Sequence, residues 1–254
     1  MKYLKITLFI AMLFGFGTLA MAQDYSEYLN AAKRLLDEGD CIKAEMNYST
    51  YKELTGKTSL EIEAAIKKCK DGGGNQSTGT LNGHEWVDLG LPSGTKWATC
   101  NVGASSPREY GSYFAWGETK PKSSYTDDNY MYFSDPNVLP ESADAATANW
   151  GAGWRMPTRE EMQELIDKCT WTWMSNGYKV TGPNGNGIFL PAAGDRGGSS
   201  LFHAGSRGDY WSSSLRSSDP GSAWLLYFYS GYCGMYRSDR YGGQSVRAVC
   251  QSQN

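Results

Sequence analysis

Residues 153–169 constrain the fold most, because they read as the end of a strand running directly into a capped helix. Pro157 stops the preceding segment from being helical. Thr158 and Glu161 have the spacing of a capping box, in which each side chain satisfies a free backbone N–H of the first turn. Four apolar residues at helical spacing follow: Met162, Leu165, Ile166 and Cys169. Such a stripe predicts that this helix packs against a core.

The first 22 residues have the parts of a secretory signal peptide. Lys2 and Lys5 form the positive region, residues 6–16 the apolar region, and residues 20–22 the cleavage site. A membrane anchor is the alternative, but the apolar run is short for a span of about 20 residues. No later segment of the sequence is apolar enough to cross a bilayer. We therefore expect an exported protein, periplasmic, cell-surface or secreted, with no stable membrane span after cleavage.

Residues 23–70 are predicted to form a small helical module. A first helix ends at Gly39. Its apolar stripe consists of Tyr28, Ala32, Leu35 and Leu36. A second helix covers residues 41–54, and Thr58 with Glu61 predicts a capping box that opens a third. The module resembles a tetratricopeptide-type hairpin, whose repeats normally need about three copies to bury a core. It is a possible docking site for a protein partner.

The second and third helices should be antiparallel, which brings Cys41 and Cys69 to the same end. Export makes disulfides possible, so we expect these two cysteines to pair. A composition rich in Gly, Ser and Asn then predicts a flexible linker over residues 71–83.

From His84 the pattern changes to short strands and long turns. A short helix opens near Asp144, and strands at 178–180 and 188–190 flank a turn. Two later strands are predicted at residues 223–230 and 244–250. This order of elements is that of a C-type-lectin-like domain, in which a short helix is followed by the capped helix and then by strands and long loops. We therefore expect an α+β, C-type-lectin-like domain over residues 84–254.

Several stretches resemble, in order, the Fibrobacter succinogenes major paralogous domain (FISUMP) family. They are residues 86–104, 113–118, 188–194, 210–214 and 243–249. Residues 154–162 are also similar to the signature of the formylglycine-generating, sulfatase-modifying type of C-type-lectin-like fold. The FISUMP family consists mostly of uncharacterised surface and secreted proteins of Bacteroidetes-like bacteria. The resemblance also implies a disulfide between Cys100 and Cys169, and leaves Cys233 and Cys250 either paired or free.

Composition and spacing argue against several functions. A net charge of −3 gives no basic patch for nucleic acid. His84 and His203 are far apart and no Cys-x-x-Cys is present, so zinc is not expected. Residues 127–129 and 135–137 offer hard oxygens, but their spacing matches no EF-hand and favours a solvated loop. We expect no metal and no cofactor.

Catalysis is also not expected. Residues 232–237 are similar to the cysteine-bearing segment of formylglycine-generating enzymes, which use two cysteines a few residues apart, whereas Cys233 stands alone. Four carboxylates are candidates for an acid/base pair: Glu118, Asp144, Glu160 and Glu161. Nothing in the sequence brings them together, and Glu161 already has a capping role.

Residues 207–241 have the composition of a recognition surface, with Tyr and Arg interleaved with Ser, Gly and Asp. We expect loops before the closing strand to present the ligand face: Arg207, Tyr229, Tyr232, Tyr236, Arg237, Asp239, Arg240 and Tyr241. A Tyr-rich set of structural loops is the alternative. The predicted function is non-catalytic, adhesin-like binding of an extracellular glycan or protein. The alternatives are a structural subunit of a surface appendage and an enzyme related to sulfatase-modifying factors.

Overall fold

The computed structural model describes residues 25–37, 41–71 and 78–251. It divides into two compact units, residues 1–66 and 67–254. The predicted signal peptide, residues 1–22, and the predicted helix stop at Gly39 lie outside the described residues. In the described part of the chain, no helix has the length and apolar composition needed to span a membrane.

The N-terminal unit is helical, as predicted. Its helices are α1 (Ser26–Asp37), α2 (Cys41–Thr55) and α3 (Leu60–Asp71), the last of which extends past the boundary between the units. Four residues form its buried core: Ala32, Tyr48, Ile62 and Ile66. Lys52 of α2 forms an ion pair with Glu63 of α3 at 2.8 Å. The helices are therefore joined by both apolar and polar contacts.

The start of α3 differs from the prediction by one residue. Ser59, rather than Thr58, occupies the cap position, and its Oγ accepts the backbone N–H of Ile62 at 3.4 Å. The hydroxyl of Tyr48 also hydrogen-bonds the backbone of Ser59, so a contact from α2 holds the cap in place. The predicted Thr58–Glu61 capping box is thus wrong. The Cys41–Cys69 pairing stays a prediction, because the side chain of Cys41 lies outside the described residues.

Part of the predicted linker is a β-hairpin. Strand β1 (Thr78–Leu81) pairs with β2 (His84–Asp88) through a two-residue turn with φ of 50° at Asn82 and 81° at Gly83. Asn-Gly is the preferred sequence for such a turn. The Leu81 carbonyl accepts the indole N–H of Trp154 at 2.9 Å, which ties the hairpin to the core. The linker prediction is therefore wrong for residues 78–83.

The C-terminal unit is an α+β arrangement, as predicted. Its helices are α4 (Ala145–Trp150) and α5 (Arg159–Lys168). The remaining strands are β3 (Lys96–Ala98), β4 (Tyr113–Phe114), β5 (Trp154–Arg155), β6 (Thr170–Met174), β7 (Gly177–Thr181), β8 (Gly187–Pro191), β9 (Asp195–Gly197), β10 (Ser200–Phe202), β11 (Arg207–Leu215), β12 (Ser222–Tyr229), β13 (Tyr232–Asp239), β14 (Gln244–Ser245) and β15 (Val249–Cys250).

The strands form two five-stranded sheets, a three-stranded sheet and a hairpin. The first sheet has the order β1–β2–β3–β15–β5, and the second has the order β13–β12–β11–β14–β4. Only the β11–β14 pair of these two sheets is parallel. The three-stranded sheet is β6–β7–β8, and β9 pairs with β10. Core residues of the two large sheets meet in shared apolar clusters, which makes this unit one packed body.

Both predicted helices of this unit are confirmed. The Thr158 hydroxyl accepts the Glu161 N–H at 3.2 Å, and the Glu161 carboxylate accepts the Thr158 N–H at 2.9 Å. Asp144 caps α4 through the N–H groups of Ala146 and Thr147. Burial of Met162 on α5 places the apolar stripe in the core. These elements formed as expected because their signals are local.

The predicted closing strand is split in two. Strand β14 belongs to the second sheet and β15 to the first, with Arg247 buried between them. The Arg247 guanidinium donates to Asn101 and to the carbonyls of Ala98 and Phe189, at 2.9–3.1 Å. Residues 244–250 therefore connect the two sheets, which one continuous strand could not do.

The predicted Cys100–Cys169 disulfide is not formed, since both residues are free thiols. Cys169 packs against the apolar cluster beside α5, whereas Cys100 lies outside that cluster with its sulfur 3.7 Å from the Thr99 hydroxyl. Cys233 and Cys250 are also free. Burial raises the pKa of Cys169 and that of Cys250 to about 11.

Candidate ligand-binding face

Most of the predicted ligand face lies on strands rather than on loops. Strand β13 pairs with β12 along its whole length, joined by a tight turn in which Gly231 has φ of 93°. Residues 232–239 alternate in the manner of a strand, with Cys233 and Met235 packed against the core and Tyr232 and Tyr236 turned away. The expectation of late loops is therefore wrong here.

Four tyrosines form one continuous surface, the tyrosine face: Tyr227, Tyr229, Tyr232 and Tyr236. Strand register places them on the same side of β12 and β13, with Tyr229 opposite Tyr232. The ring centre of Tyr227 lies 5.6–6.1 Å from those of the other three. Tyr229 and Tyr232 are 45% exposed and Tyr236 is 58% exposed. Large flat rings on a fixed backbone are thus open to solvent.

A glycine keeps the middle of the tyrosine face open. Gly234 lies opposite Tyr227 in the strand register. A Cβ atom at Gly234 would lie 2.6 Å from the hydroxyl of Tyr232. Any larger residue would therefore displace Tyr232, so the arrangement of the rings depends on this glycine.

Four charged or titratable side chains border the tyrosine face and form the charged array: Asp195, His203, Arg207 and Asp209. The Arg207 guanidinium lies 5.5 Å from the ring centre of Tyr227, a cation–π distance. Its Nε donates to Asp209 at 2.7 Å and its NH2 group to Asp195. The Nδ1 of His203 lies 2.9 Å from the same oxygen of Asp195. The array thus links β9, β11 and the segment between them.

The surroundings of the array decide its charge. Asp209 is only 4% exposed, and burial raises the pKa of its carboxyl to about 6 although Arg207 acts to lower that pKa.

The NH1 group of Arg207 has no hydrogen-bond partner among the described residues, and it is not among their buried unpaired atoms. This group is therefore an unpaired donor beside the rings, on a side chain that is 22% exposed.

A family model for the Lcl C-terminal domain matches residues 92–250, more than half of the chain. The chain belongs to this family. The Lcl C-terminal domain here spans the residues from before β3 to β15 and contains the whole tyrosine face and charged array. No curated protein and no solved structure matches the chain.

Three other predicted site residues of the Lcl C-terminal domain lie elsewhere. Arg237 is on the opposite side of β13, with its register partner Trp224 and with Asp219 at 4.0 Å. Asp239 lies on the same side as Arg237 and accepts the hydroxyl of Tyr241 at 3.0 Å. Tyr241 is half-buried against an aromatic cluster around Tyr113. The structure does not bring these residues to the tyrosine face.

Arg240 is the clearest wrong assignment, because it is 5% exposed. Its guanidinium makes five hydrogen bonds at 2.6–3.0 Å, with Tyr130, Tyr132, Ser134, Asp135 and Pro220. All five partners belong to the domain and the Arg240 side chain is buried, so the group has a structural role and does not face a ligand. Asp135, whose oxygens the sequence offered as a cation ligand, is instead its ion-pair partner.

Sequence reasoning left several members of the site out of the predicted ligand face. Tyr227 and Gly234 could have been assigned to the face from the sequence, since they continue the alternation of Tyr229, Tyr232 and Tyr236 across the turn. No sequence pattern points to Asp195 and Asp209. They meet through Arg207, and only the pairing of distant segments creates that contact.

Metal binding and cysteine catalysis were the other chemistries considered from the sequence, and the described residues form no site for either. Across residues 25–37, 41–71 and 78–251, no three His, Cys, Asp or Glu side chains gather as a metal site. His84 instead stacks on Trp150 with ring centres 3.9 Å apart. Burial raises the pKa of the Cys233 thiol, which disfavours the thiolate that a nucleophile requires.

The candidate carboxylates are dispersed among structural roles. Glu118 pairs with Lys122, Asp144 caps α4, and Glu161 pairs with Arg155. Asp144 and Arg155 do line a cavity of about 460 Å³ together with Trp154 and Met156. The Asp144 carboxylate, however, already accepts the three N–H groups of Ala146, Thr147 and Met156.

Proposed function

We propose that this member of the Lcl C-terminal domain family is an exported, non-catalytic, adhesin-like protein that binds an extracellular glycan or protein. The observation that carries the proposal is the tyrosine face, where exposed rings on paired strands adjoin the unpaired NH1 donor of Arg207. Tyr and Arg dominate binding energies at interfaces, because they offer large contact area and directed hydrogen bonds at low entropic cost. A preformed strand surface lowers that cost further.

The finer fold and family assignments belong to the same proposal. We propose a C-type-lectin-like arrangement related to the FISUMP family. The order of α4, α5 and the later strands supports it, as do the matching stretches such as residues 86–104 and 243–249. Export is supported by the signal-peptide features of residues 1–22.

Binding of the full chain to a glycan array and to a panel of immobilised extracellular proteins tests the proposal. Any ligand found should lose at least about tenfold in affinity on Tyr236→Ala. Arg237→Ala is the matched control, because it truncates an exposed residue of the same strand on the opposite side. Equal losses with both variants, or no loss with Tyr236→Ala, would refute binding at the tyrosine face.

A structural subunit is the second candidate, favoured by one observation on the helical unit. Its surface exposes three apolar side chains: Met46, Leu54 and Leu60. Exposed apolar side chains of this kind can bury their surface against a partner. Deleting residues 24–70 should abolish assembly into a larger particle and spare ligand binding if the first proposal is correct. Loss of ligand binding in that variant would favour the structural role.

A further inference from the structure

Arg207 is held in its present position by a buried carboxylate. Asp209 lies on the same strand, two residues along, and faces the same side of the sheet as Tyr227, its register partner. The carboxylate accepts the Nε–H of Arg207 at 2.7 Å. A charge-assisted hydrogen bond of this kind exists at full strength only while the carboxyl is ionised.

The second contact of Arg207 is shared with a histidine. One oxygen of Asp195 accepts the NH2 group of Arg207 and also contacts Nδ1 of His203 at 2.9 Å. Since a carboxylate only accepts, Nδ1 carries the proton, and Nε2 of a neutral His203 is left as an acceptor. The side chain of His203 is half-exposed.

The groups that face Asp209 are few. Arg207 and Asp195 contact it electrostatically together with His203, and Tyr210 of the same strand does so from the other side of the sheet. Tyr227 supplies the ring beneath Arg207. With Asp209 ionised, two carboxylates outweigh one guanidinium. With Asp209 neutral, the charges of the Asp195 carboxylate and the Arg207 guanidinium balance.

We propose that protonation of Asp209 converts the edge of the tyrosine face into an anion-binding site, in which Arg207 holds the anionic group. Its use in recognition rests on the proposed ligand-binding function. At neutral pH Arg207 is occupied by both carboxylates and the array repels anions. In acid the Nε–H of Arg207 loses its ionic partner, and NH1 has no hydrogen-bond partner among the described residues.

The buried position of Asp209 makes this change accessible under mildly acidic conditions. Burial raises the pKa of the Asp209 carboxyl to about 6, so the group changes charge within the range of natural extracellular environments. Arg207 stays charged throughout, since a guanidinium is not deprotonated in proteins. Acidification therefore leaves the charge of Arg207 unchanged. It removes only the negative charge of Asp209, which competes with an incoming anion for the Arg207 guanidinium.

Inorganic sulfate is a suitable probe, because it keeps its double charge across this range and does not require the natural ligand. Sulfate is titrated into the full chain while the side-chain Nε resonance of Arg207 is followed by NMR. We expect binding at least about tenfold tighter near pH 5 than near pH 8. Asp209→Asn should bind equally at both pH values, at the acid-form affinity. Asp239→Asn, an exposed carboxylate on the other side of β13, should keep the wild-type dependence.

Equal sulfate affinity at both pH values in the wild type would overturn the proposal, as would a full pH dependence in Asp209→Asn. If that variant does not fold, the Asp209 carboxyl carbon is titrated in the wild type instead. Its midpoint should coincide with that of sulfate binding, and a midpoint at the ordinary value for Asp would overturn the proposal. Sulfate reports on Arg207 directly, so these results stand whether or not Tyr236→Ala impairs binding of a natural ligand.

Discussion

The domain contains two clusters of arginine with aromatic rings that look alike in sequence and differ in structure. Arg240 lies 4.8–5.7 Å from the ring centres of Trp116, Tyr130 and Tyr132, and all its bonds are internal. Arg207 lies 5.5 Å from Tyr227 and leaves one amino group unpaired among the described residues. The same residue types therefore form a buried structural contact in one place and an accessible surface in the other.

Burial explains the difference between the clusters. The Arg240 side chain is buried, and the Tyr130 hydroxyl and the carbonyls of residues 132, 134 and 220 accept from it. Around Arg207, the acceptors are carboxylates of β9 and β11, and the neighbouring rings project from strands that already have their backbone partners. Composition alone cannot distinguish these cases, because it does not show which arginine meets carbonyl acceptors.

The largest expected effect is on the buried cluster. Arg240→Ala should destabilise the domain by about 3–5 kcal/mol, because it removes a buried side chain that packs on three rings and leaves the Tyr130 hydroxyl and three carbonyls without their donor. Arg240→Lys should recover little, since one ammonium group cannot replace a planar fork with five bonds. Urea unfolding of both variants measures this.

Arg207→Ala is the matched control for that measurement. It removes a guanidinium that is 22% exposed. At about pH 5 the buried Asp209 carboxyl can take up a proton, so no unpaired buried charge remains and the loss in unfolding free energy should stay near 1 kcal/mol. Similar losses for Arg207→Ala and Arg240→Ala would erase the distinction between the clusters.

Truncating the rings should affect the two clusters in opposite ways. Tyr236→Ala should cost about 2–4 kcal/mol of ligand binding, and change the melting temperature little, because its ring is 58% exposed. Tyr130→Ala should lower the melting temperature and leave binding intact, since its buried hydroxyl accepts from Arg240 and donates to the Trp116 carbonyl. Tyr236→Phe separates ring contact from hydroxyl contact. A melting-temperature loss without a binding loss in Tyr236→Ala would make the tyrosine face structural.

A smaller effect is expected on the pH dependence of stability. The Asp209 carboxyl has a folded-state pKa of about 6 against an ordinary value of 3.8, so between these values the folded chain binds more protons than the unfolded one. The contribution of Asp209 to stability therefore falls as pH rises through this window, by on the order of 3 kcal/mol. Urea unfolding from about pH 4 to about pH 7 should show this fall in the difference in unfolding free energy between the wild type and Asp209→Asn. A constant or rising difference over the window would contradict it.

Local signals in the sequence predicted local structure well. The Thr158–Glu161 cap and the Asp144 cap need only three or four consecutive residues, and both formed. Asn82-Gly83 is an equally local hairpin signal, but the linker-like composition around it concealed it. The position of the α3 cap was missed because Tyr48, on another helix, contacts Ser59.

The site was predicted only where it depends on strand alternation. Tyr229, Tyr232 and Tyr236 share a side because strand residues alternate, and this pattern can be found in the sequence. The prediction for Arg237 is wrong by the same rule. Arg237 directly follows Tyr236, so its side chain lies on the other side of the strand. Arg240 failed because its partners at residues 130–135 and 220 are brought to it by tertiary contacts alone.

The smallest expected change in stability comes from Gly234→Ala, which tests whether the geometry of the tyrosine face matters. Glycine within a strand costs roughly 0.5–1 kcal/mol relative to alanine, so the variant should unfold with a free energy within about 1 kcal/mol of the wild type. The new Cβ would lie 2.6 Å from the Tyr232 hydroxyl, and the flexible end of that side chain must move away. Ligand binding should therefore weaken while the fold persists.

Gly221→Ala is the matched control, because the nearest atom to its new Cβ is an Asp219 oxygen 3.6 Å away, an ordinary contact. This variant should leave both stability and ligand binding unchanged. Tyr232→Ala, combined with Gly234→Ala, should bind no more weakly than Tyr232→Ala alone, since the alanine at 234 acts through the displaced ring. Additive losses in the double variant would mean that Gly234 contacts the ligand directly, and that the open space above Tyr227 is itself part of the binding site.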